Sequence, residues 1–559
     1  MNKDLIYALA LENAIKFNGR ASQSSVTGIL ISISPSIKSN IKEASKLIAK
    51  IIEEVNSMSL QEQKEKYEKL KHLIHHEEKQ LRIGLPELKN AENLTVRFAP
   101  FPSGPLHIGN AKQLVLNDEY SKTYNGKFLL VFDDTIGSEE KTISKEAYSL
   151  ILDGVKWLDV KIDSTYYKSD RLEIYYKYAL ELVKENKAYV CFCRPEELRK
   201  NREKGLECSH RNYSIKENLE FWNQLLKKKF KPSQATLRIK TSMQHKNPAF
   251  RDRVLFRISK RSHPRTKNKY TIWPLLEFSW AIDDHLLGVS HIIRGKDLMM
   301  ESEMEQFIWN IFNWANPEII HTGLVNIKGI KLSKSKSKEE VQSGFYKGWD
   351  DPRTWSLQSL RKRGIKPKAI RNFLLKSGLS KNDVTVPIED LYAENRALIE
   401  KESNRYFFVQ DPKLIKIQNF KGRDVSLNLH PDIPERGKRK LKVKNSFYIN
   451  KKDFDVLREK ELYRLMDCLN FTKQKNKFMF HSLDYESYKE KGSRIMHWLP
   501  EQGNLKASVI MDNYNIINGL LEKNASKMKI NEICQFERTF FAKLDKKTNN
   551  VLLFYFTHK

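Results

Sequence analysis

Two separated stretches carry residue types that could act on phosphates. Residues 97–112 read Arg-Phe-Ala-Pro-Phe-Pro-Ser-Gly-Pro-Leu-His-Ile-Gly-Asn-Ala-Lys. Pro100 and Pro102 force an extended chain, Ser103-Gly104-Pro105 makes a turn, and His107-Ile108-Gly109-Asn110 opens a helix expected over residues 111–120. A strand that runs into a helix N-terminus is an anion site, because unpaired backbone N–H groups and the positive end of the helix dipole face one point. His107 stands where it could donate to a phosphate, and Gly109, lacking a side chain, lets a flat base lie against the backbone. The bland alternative is a Pro/Gly turn with a capping histidine. Much further along, Ile330-Lys331-Leu332-Ser333-Lys334-Ser335-Lys336-Ser337 forms a small-residue loop whose ammonium groups could close on a polyphosphate. Such a loop taken alone is more often simply solvated; the pair, in this order, makes that reading a poor one.

Three further groups have chemistry in their spacing. Cys191-Phe192-Cys193 and Cys208-Ser209-His210 offer four soft ligands in two short pairs, which suits a tetrahedral structural zinc; ordinary thiols are the alternative. The apolar run 127–132 ends on Asp133-Asp134-Thr135, and carboxylates at the C-terminal end of a strand face the crevice of a doubly wound sheet, unless they cap a helix expected over residues 138–152. Residues 288–297 read as a buried strand that delivers Arg294 into the same crevice, just before a helix over residues 298–309.

The elements that must position these residues alternate from residue 94 onward: a strand at 94–98, the helix after His107, a strand at 127–132, then a basic, Cys/His-bearing interruption. The sheet is expected to resume at 270–274, followed by 281–286 and the Arg294 strand. Before residue 90 the pattern is helical, with Ile41, Ala44, Leu47, Ile48, Ile51, Ile52 and Val55 on one stripe and no chemical motif, which reads as an appended docking domain. Beyond about residue 405 the period is that of strands, with runs at 407–409, 414–417, 425–429 and 446–449, and with 533–541 and 551–557 expected to pair across a turn at 545–550.

A chain of 559 residues predicts several domains, and 40% hydrophobic with 11% aromatic residues is ample for packed cores. The net charge of +30 points to a polyanionic partner. Nucleic acid is expected before membrane: the longest uncharged run, 21–37, is broken by serines and Pro35, and no basic segment followed by an apolar one opens the chain. Five cysteines are too few for a disulfide framework, so a soluble cytoplasmic protein is expected. The interruption adds basic runs at 227–231 and 257–269 with Tyr213, Phe221, Trp222 and Phe230, a mixture that fits RNA contact and stacking as well as a solvated face.

On the His107 and Lys334 motifs the chain resembles the class I aminoacyl-tRNA synthetases, whose signatures are His-Ile-Gly-His and Lys-Met-Ser-Lys-Ser. It is similar to the glutamyl/glutaminyl branch over residues 92–559, and most like the archaeal glutamyl type, since the β-rich tail replaces the helices of the bacterial one. Asn110 departs from the second histidine and removes a possible cation near ATP; Leu332 for methionine keeps the loop apolar. The resemblance implies a multidomain α/β plus all-β architecture: a helical domain at 1–91, a Rossmann-like catalytic domain at 92–190 and 271–340 with an acceptor-binding insertion at 191–270, a helical connector at 341–404, and β-barrels that read the anticodon at 405–559. It implies ATP-dependent ligation of L-glutamate to tRNA(Glu), with tRNA(Gln) a further candidate, by a monomer using Mg²⁺. ATP would be held by Pro105, His107, Gly109, Asn110, Lys331, Ser333, Lys334 and Ser335, with His107, Asn110 and Lys334 in catalysis. Glutamate would be held by Arg97, Asp133, Trp273 and Arg294, Asp133 accepting from the α-ammonium.

Arg294 decides the amino acid, because the glutaminyl enzymes carry a neutral residue there. Two guanidinium forks suit a side-chain carboxylate, and an amide would leave a buried cation uncompensated, on the order of several kcal/mol. A structural ion pair of Arg294 with Asp297 is the competing expectation. Arg436-Gly437-Lys438-Arg439-Lys440 could serve RNA phosphates. The rival functions are a glutaminyl enzyme, a catalytically silent RNA-binding relative, and a small nucleotidyltransferase, which would need neither the β-rich tail nor the basic surplus.

Overall fold

The computed structural model describes residues 3–17, 19–33, 41–74, 85–138, 142–330, 334–548 and 551–559, with the backbone alone at 16, 31–33, 41, 42, 334 and 335. It divides into two compact units, 1–86 and 87–559. The first holds helices α1 (Lys3–Lys16), α2 (Gln23–Ile33), α3 (Ile41–Asn56) and α4 (Leu60–Leu70). The expected stripe faces their shared core, where Ala44, Ile48, Ile51 and Val55 are buried with Ile6, Leu9 and Leu30. A Ser59/Glu62 capping box starts α4 by satisfying backbone N–H groups that have no partner inside the helix.

The second unit is built on a five-stranded, all-parallel sheet: β1 (Thr95–Phe98), β2 (Lys127–Phe132), β3 (Ser164–Tyr167), β8 (His291–Gly295) and β9 (Glu318–Thr322). The order β3-β2-β1-β8-β9 makes β1 the strand at which the winding reverses, so a crevice opens between the C-terminal ends of β1 and β8. Four buried residues in a row on β1 and five on β8 are what a strand covered on both faces requires. Helices α5 (Ile108–Thr123), α6 (Ala147–Trp157) and α7 (Leu172–Lys184) connect the first half.

Between the halves stands a four-stranded antiparallel sheet of β4 (Ala188–Cys191), β5 (Thr236–Ile239), β6 (Val254–Ile258) and β7 (Ile272–Pro274), with α8 (Pro195–Lys204) and α9 (Ile215–Leu226) inserted after β4. The segment 270–274 therefore closes this antiparallel sheet and does not resume the parallel one. Residues 281–286 belong to a helix, α10 (Leu276–Leu286), which is buried on every face from 277 to 284 and so shows no amphipathic period in the sequence; α11 (Met299–Ile311) follows β8. Trp222 is buried in the insertion's core, where it meets Tyr176, while Tyr213, Phe221 and Phe230 are half-buried and pack on Phe192 or on one another.

After β9 come α12 (Lys334–Gln342) and α13 (Leu357–Arg363), and beyond Ser403 two seven-stranded barrel-like sheets with separate aromatic cores. The expected strand 533–541 is two strands, Ile533–Phe536 and Phe540–Lys547, turning at Arg538 in the left-handed region; the second of them pairs with Val551–His558. The basic run at 436–440 is half internal. Arg436 donates to Asn404 Oδ1 and two carbonyls, and buried Arg439 pairs with Glu522 and Glu537, leaving only Lys438 and Lys440 exposed.

One buried cation fastens α13 to the last strand. Arg363 donates to the carbonyls of Phe556 (3.3 Å) and Thr557 (3.0 Å) and to the Tyr392 hydroxyl (2.7 Å). Arg363→Met is expected to cost about 2–4 kcal/mol, since three acceptors lose their donor inside the protein. Thermal unfolding followed by circular dichroism should show a lower midpoint; an unchanged midpoint would remove this role.

Candidate active site

A cleft of about 700 Å³ lies at the C-terminal ends of β1 and β8. The turn after β1 forms one wall, and it is held by long-range backbone bonds: Asp133 N–H donates to Pro100 O, Ser144 N–H to Pro102 O, and Leu357 N–H to Leu106 O. Gly104 is required, because a Cβ there would sit 2.9 Å from the Trp349 ring. His107 caps α5 with extended backbone, and its Nδ1 accepts from the Asn110 N–H at 3.3 Å, which puts the proton of the neutral ring on Nε2. His107, Gly109 and Asn110 line the cleft; Pro105 is buried in the turn behind them. Asn110 Oδ1 and Gln113 Oε1 are buried acceptors without a hydrogen-bond donor among the described residues, on the wall where a sugar or base would need one.

Lys331 and Ser333 lie outside the described residues, and Lys334 and Ser335 are described by backbone alone as the first turn of α12. From the next turn Lys338 reaches over the cleft and donates to Thr142 Oγ1 at 2.6 Å.

The floor is ionic. Arg97 Nε and Nη2 donate to the two oxygens of Asp284 at 2.5 and 2.7 Å. Arg294 Nη1 and Nη2 donate to the two oxygens of Glu305 at 2.9 and 2.7 Å, and its Nε and Nη2 also reach Ser302 Oγ. Lys168, at the end of β3, pairs with Asp133 at 3.1 Å and donates to Ser279 Oγ at 2.9 Å. Arg171 and the Tyr175 hydroxyl hold Asp283 at 2.7 and 2.6 Å. The competing expectation for Arg294 was partly right: it is ion-paired, with Glu305 and not with Asp297. Each guanidinium fork is thus occupied from behind, and only the remaining N–H groups can face the cleft.

Trp280 is the plate on which these cations meet. Arg97 Cζ and Lys168 Nζ lie 4.8 Å from its ring and Arg294 Cζ 5.1 Å. Trp273 is fully buried, stacks on His263 at 5.1 Å and does not line the cleft, because β7 turns it into the core of the insertion. The residues that sequence reasoning missed are Trp280, Lys168, Gln113, Lys338 and Glu305. A signal existed only for Glu305, which follows Ser302 by three positions on α11, one helical turn, and so shares its face.

Burial governs the titration of the floor. It holds the Lys168 ammonium below its ordinary value against the pull of Asp133 and Asp283, and it pushes Glu305 up to about 7 despite Arg294. Asp134 points away from the cleft, accepts from Ser169 N–H and Oγ and from the Tyr148 hydroxyl, and is raised by burial to about 6.

The cysteine cluster lies in the insertion. Sγ of Cys191, Cys193 and Cys208 and Nδ1 of His210 all fall within 4.8 Å of one another, with Cys191–Cys208 at 3.8 Å and Cys193–His210 at 3.5 Å. Tetrahedral zinc, at about 2.3 Å from sulfur and 2.0–2.1 Å from nitrogen, requires separations of that size, so the donors fit. Buried Arg238 stands 3.6 and 3.7 Å from the sulfurs of Cys191 and Cys208. Three thiolates, one imidazole and Zn²⁺ sum to one negative charge, which Arg238 would balance.

The model of the class I tRNA synthetases (E and Q) matches twice, as catalytic domain over residues 93–401 and as anticodon-binding domain over 403–485. The chain belongs to this family. It is 40% identical to the glutamate–tRNA ligase of Methanocaldococcus jannaschii over the whole of both chains, and 42% identical to that of Pyrococcus furiosus over 98% of each. No helix among the described residues is long and apolar enough to cross a membrane.

A neutral histidine anchors the strand end that bears Asp133. His263 Nε2 donates to Asp134 O at 2.8 Å while Nδ1 accepts from Arg265 and Thr266 N–H, and burial lowers its pKa from 6.5 to about 4. A depressed histidine contributes stability above its unfolded pKa, and that contribution is lost as pH falls from about 6.5 towards 4, by up to about 3 kcal/mol. Thermal midpoints across that window should fall less for His263→Gln than for the wild type; equal falls would exclude His263 as a cause.

Proposed function

We propose that this cleft carries the ligation of L-glutamate to tRNA at the expense of ATP. The observation that carries the reading is the meeting of Arg97, Arg294 and Asp133 in the cleft that also holds the N-terminus of α5 and His107. The α-carboxylate of glutamate attacks the α-phosphorus of ATP in line and pyrophosphate leaves; a hydroxyl of the terminal adenosine of tRNA then takes the glutamyl group from the adenylate. The protein supplies no covalent nucleophile, so catalysis is positioning and charge stabilisation.

His107 Nε2–H and the backbone N–H groups at the start of α5 face the phosphates, and the resemblance of their motif assigns Lys331, Ser333, Lys334 and Ser335 to the same ligand. Mg²⁺, when bound with ATP, neutralises phosphate charge. Gly109 admits the base, and the unpartnered Asn110 and Gln113 oxygens accept from the nucleoside. Asp133 accepts from the α-ammonium, beside the Lys168 ammonium 3.1 Å away. Trp280 takes the aromatic place that Trp273 does not fill. The free N–H groups of Arg97 and Arg294 take the side-chain carboxylate, which favours glutamate over glutamine. The insertion holds the acceptor end and the β-sheets the anticodon.

Separated tRNA(Glu) and tRNA(Gln) pools with labelled glutamate or glutamine test the assignment: glutamate is accepted and glutamine refused. Arg294→Ala should raise the KM for glutamate about tenfold or more with little change in the KM for ATP. Unaltered glutamate kinetics in that variant would refute the clamp.

We further assign Zn²⁺ to Cys191, Cys193, Cys208 and His210, where its chemistry is structural: it would tie β4 to the turn before α9. Metal analysis should find about one zinc per chain, and chelation should lower the thermal midpoint. Metal-free protein with an unchanged midpoint on adding zinc would overturn this.

A further inference from the structure

The floor of the cleft is electrically complete before any substrate enters. Arg97, Lys168, Arg171 and Arg294 stand against Asp284, Asp133, Asp283 and Glu305, each cation with its own carboxylate. A glutamate zwitterion brings one net negative charge and glutamine none, so a neutral floor has no long-range preference for glutamate. Arg294 also lacks freedom to supply one: Glu305 and Ser302 engage four of its five N–H groups, one on Nε, one on Nη1 and two on Nη2.

We propose that Glu305 is the specificity-determining counter-charge of this site, taking up a proton when the substrate's side-chain carboxylate arrives and so turning Arg294 over to it. The inference rests on the assignment of Arg97 and Arg294 to glutamate. Protonation turns Glu305 from a two-oxygen acceptor into a neutral carboxyl that can keep one bond from Arg294 through its carbonyl oxygen, and the floor gains the positive charge that glutamate needs. One O–H bond forms on the Glu305 carboxylate with a proton taken from solvent, and it breaks again, returning the proton to solvent, when the amino acid leaves.

The surroundings favour Glu305 over the other three acids. It is fully buried on α11, and the groups that face it are Arg294 of β8, Arg97 of β1, the Asp284 carboxylate of α10, and Ser302 of its own helix, itself bonded to His321 Nε2 of β9 at 2.8 Å. Burial and the Asp284 charge raise its pKa to about 7, within reach of a small further push. A substrate carboxylate on Arg294 adds that push. The His321 imidazole is held neutral by burial and by the Arg294 charge, so it does not compete for the proton.

The sign follows. A group whose pKa is raised by binding strengthens binding below its free value and weakens it as pH rises through and beyond that value. With tRNA and ATP saturating, the KM for glutamate of the wild type should be level below about pH 7 and rise about fivefold or more by about pH 8.5, the KM for ATP staying level. Glu305→Gln, close in shape and without a charge, should give a flat glutamate profile and a KM below that of the wild type at the alkaline end. A merely structural Glu305 would instead raise KM equally at every pH. Calorimetry of glutamate binding to the wild type in two buffers of different ionisation enthalpy should show proton uptake, and it needs no variant to fold. A flat wild-type profile, absent proton uptake, or a slope that survives in Glu305→Gln would overturn the proposal. Arg294→Ala separates the two levels: unchanged glutamate KM there removes the clamp, whereas a raised KM together with a flat wild-type profile removes the role of Glu305 alone.

Discussion

A charge taken out of water must meet an opposite charge or lose its ionisation, and the active site of this chain is organised by that requirement. Four cations converge at the point where the winding of the parallel sheet reverses, and each meets a carboxylate from an element other than its own, two of them from α10. Arg97 of β1 is held by α10, Arg294 of β8 by α11, and Lys168 beyond β3 by the residue that follows β2. The pairs therefore act as crossbraces between strands and the helices behind them. Releasing any one of these elements would strand a buried charge.

Trp280 solves the problem that the pairs leave. Three cations within about 5 Å of one ring would repel one another in a low-dielectric floor, and the negative face of the indole offers each of them attraction without another ionisable group. Asp133 and Asp134, adjacent in sequence, are sent to opposite sides of the strand end. The first meets Lys168 at the cleft, and the second ties Ser169 and Tyr148 behind it. One carboxylate thus lines the cleft with Lys168 while its neighbour makes the structural bonds behind the strand end.

The insertion follows the same rule on a smaller scale. Three sulfurs and an imidazole are brought to ligand distance beside Arg238, a cation with no carboxylate within its own hydrogen bonds but with two sulfurs and the Asp252 carbonyl. Trp222 turns inward because a small four-stranded sheet needs it as core, and the lysines at 227–229 stay exposed as a basic face.

The local grammar of the chain was legible without its coordinates. The apolar runs that became β1, β2 and β8 are consecutive in sequence, the His107 turn is dictated by its prolines and glycines, and the Cys/His spacing is short enough to close on itself. The family follows from the same short motifs. What could not be read was every partnership across long separation. Trp273 and Trp280 are seven positions apart and equally apolar, and only the pairing of β7 with β6 puts the first in a core and the second on the cleft. Arg294 finds Glu305 and not the nearer Asp297 because a helix turn aims residue 305 back under β8. Arg436 and Arg439 look like an RNA patch until the sheets close and supply Asn404 and Glu522. Sequence by itself determined most strands and turns, though not the helix at 281–286, since those depend on neighbours a few residues apart. The tertiary structure decided which charges face each other and which face the cleft, because ionic partners are chosen by distance and dielectric, and both exist only after the chain has packed.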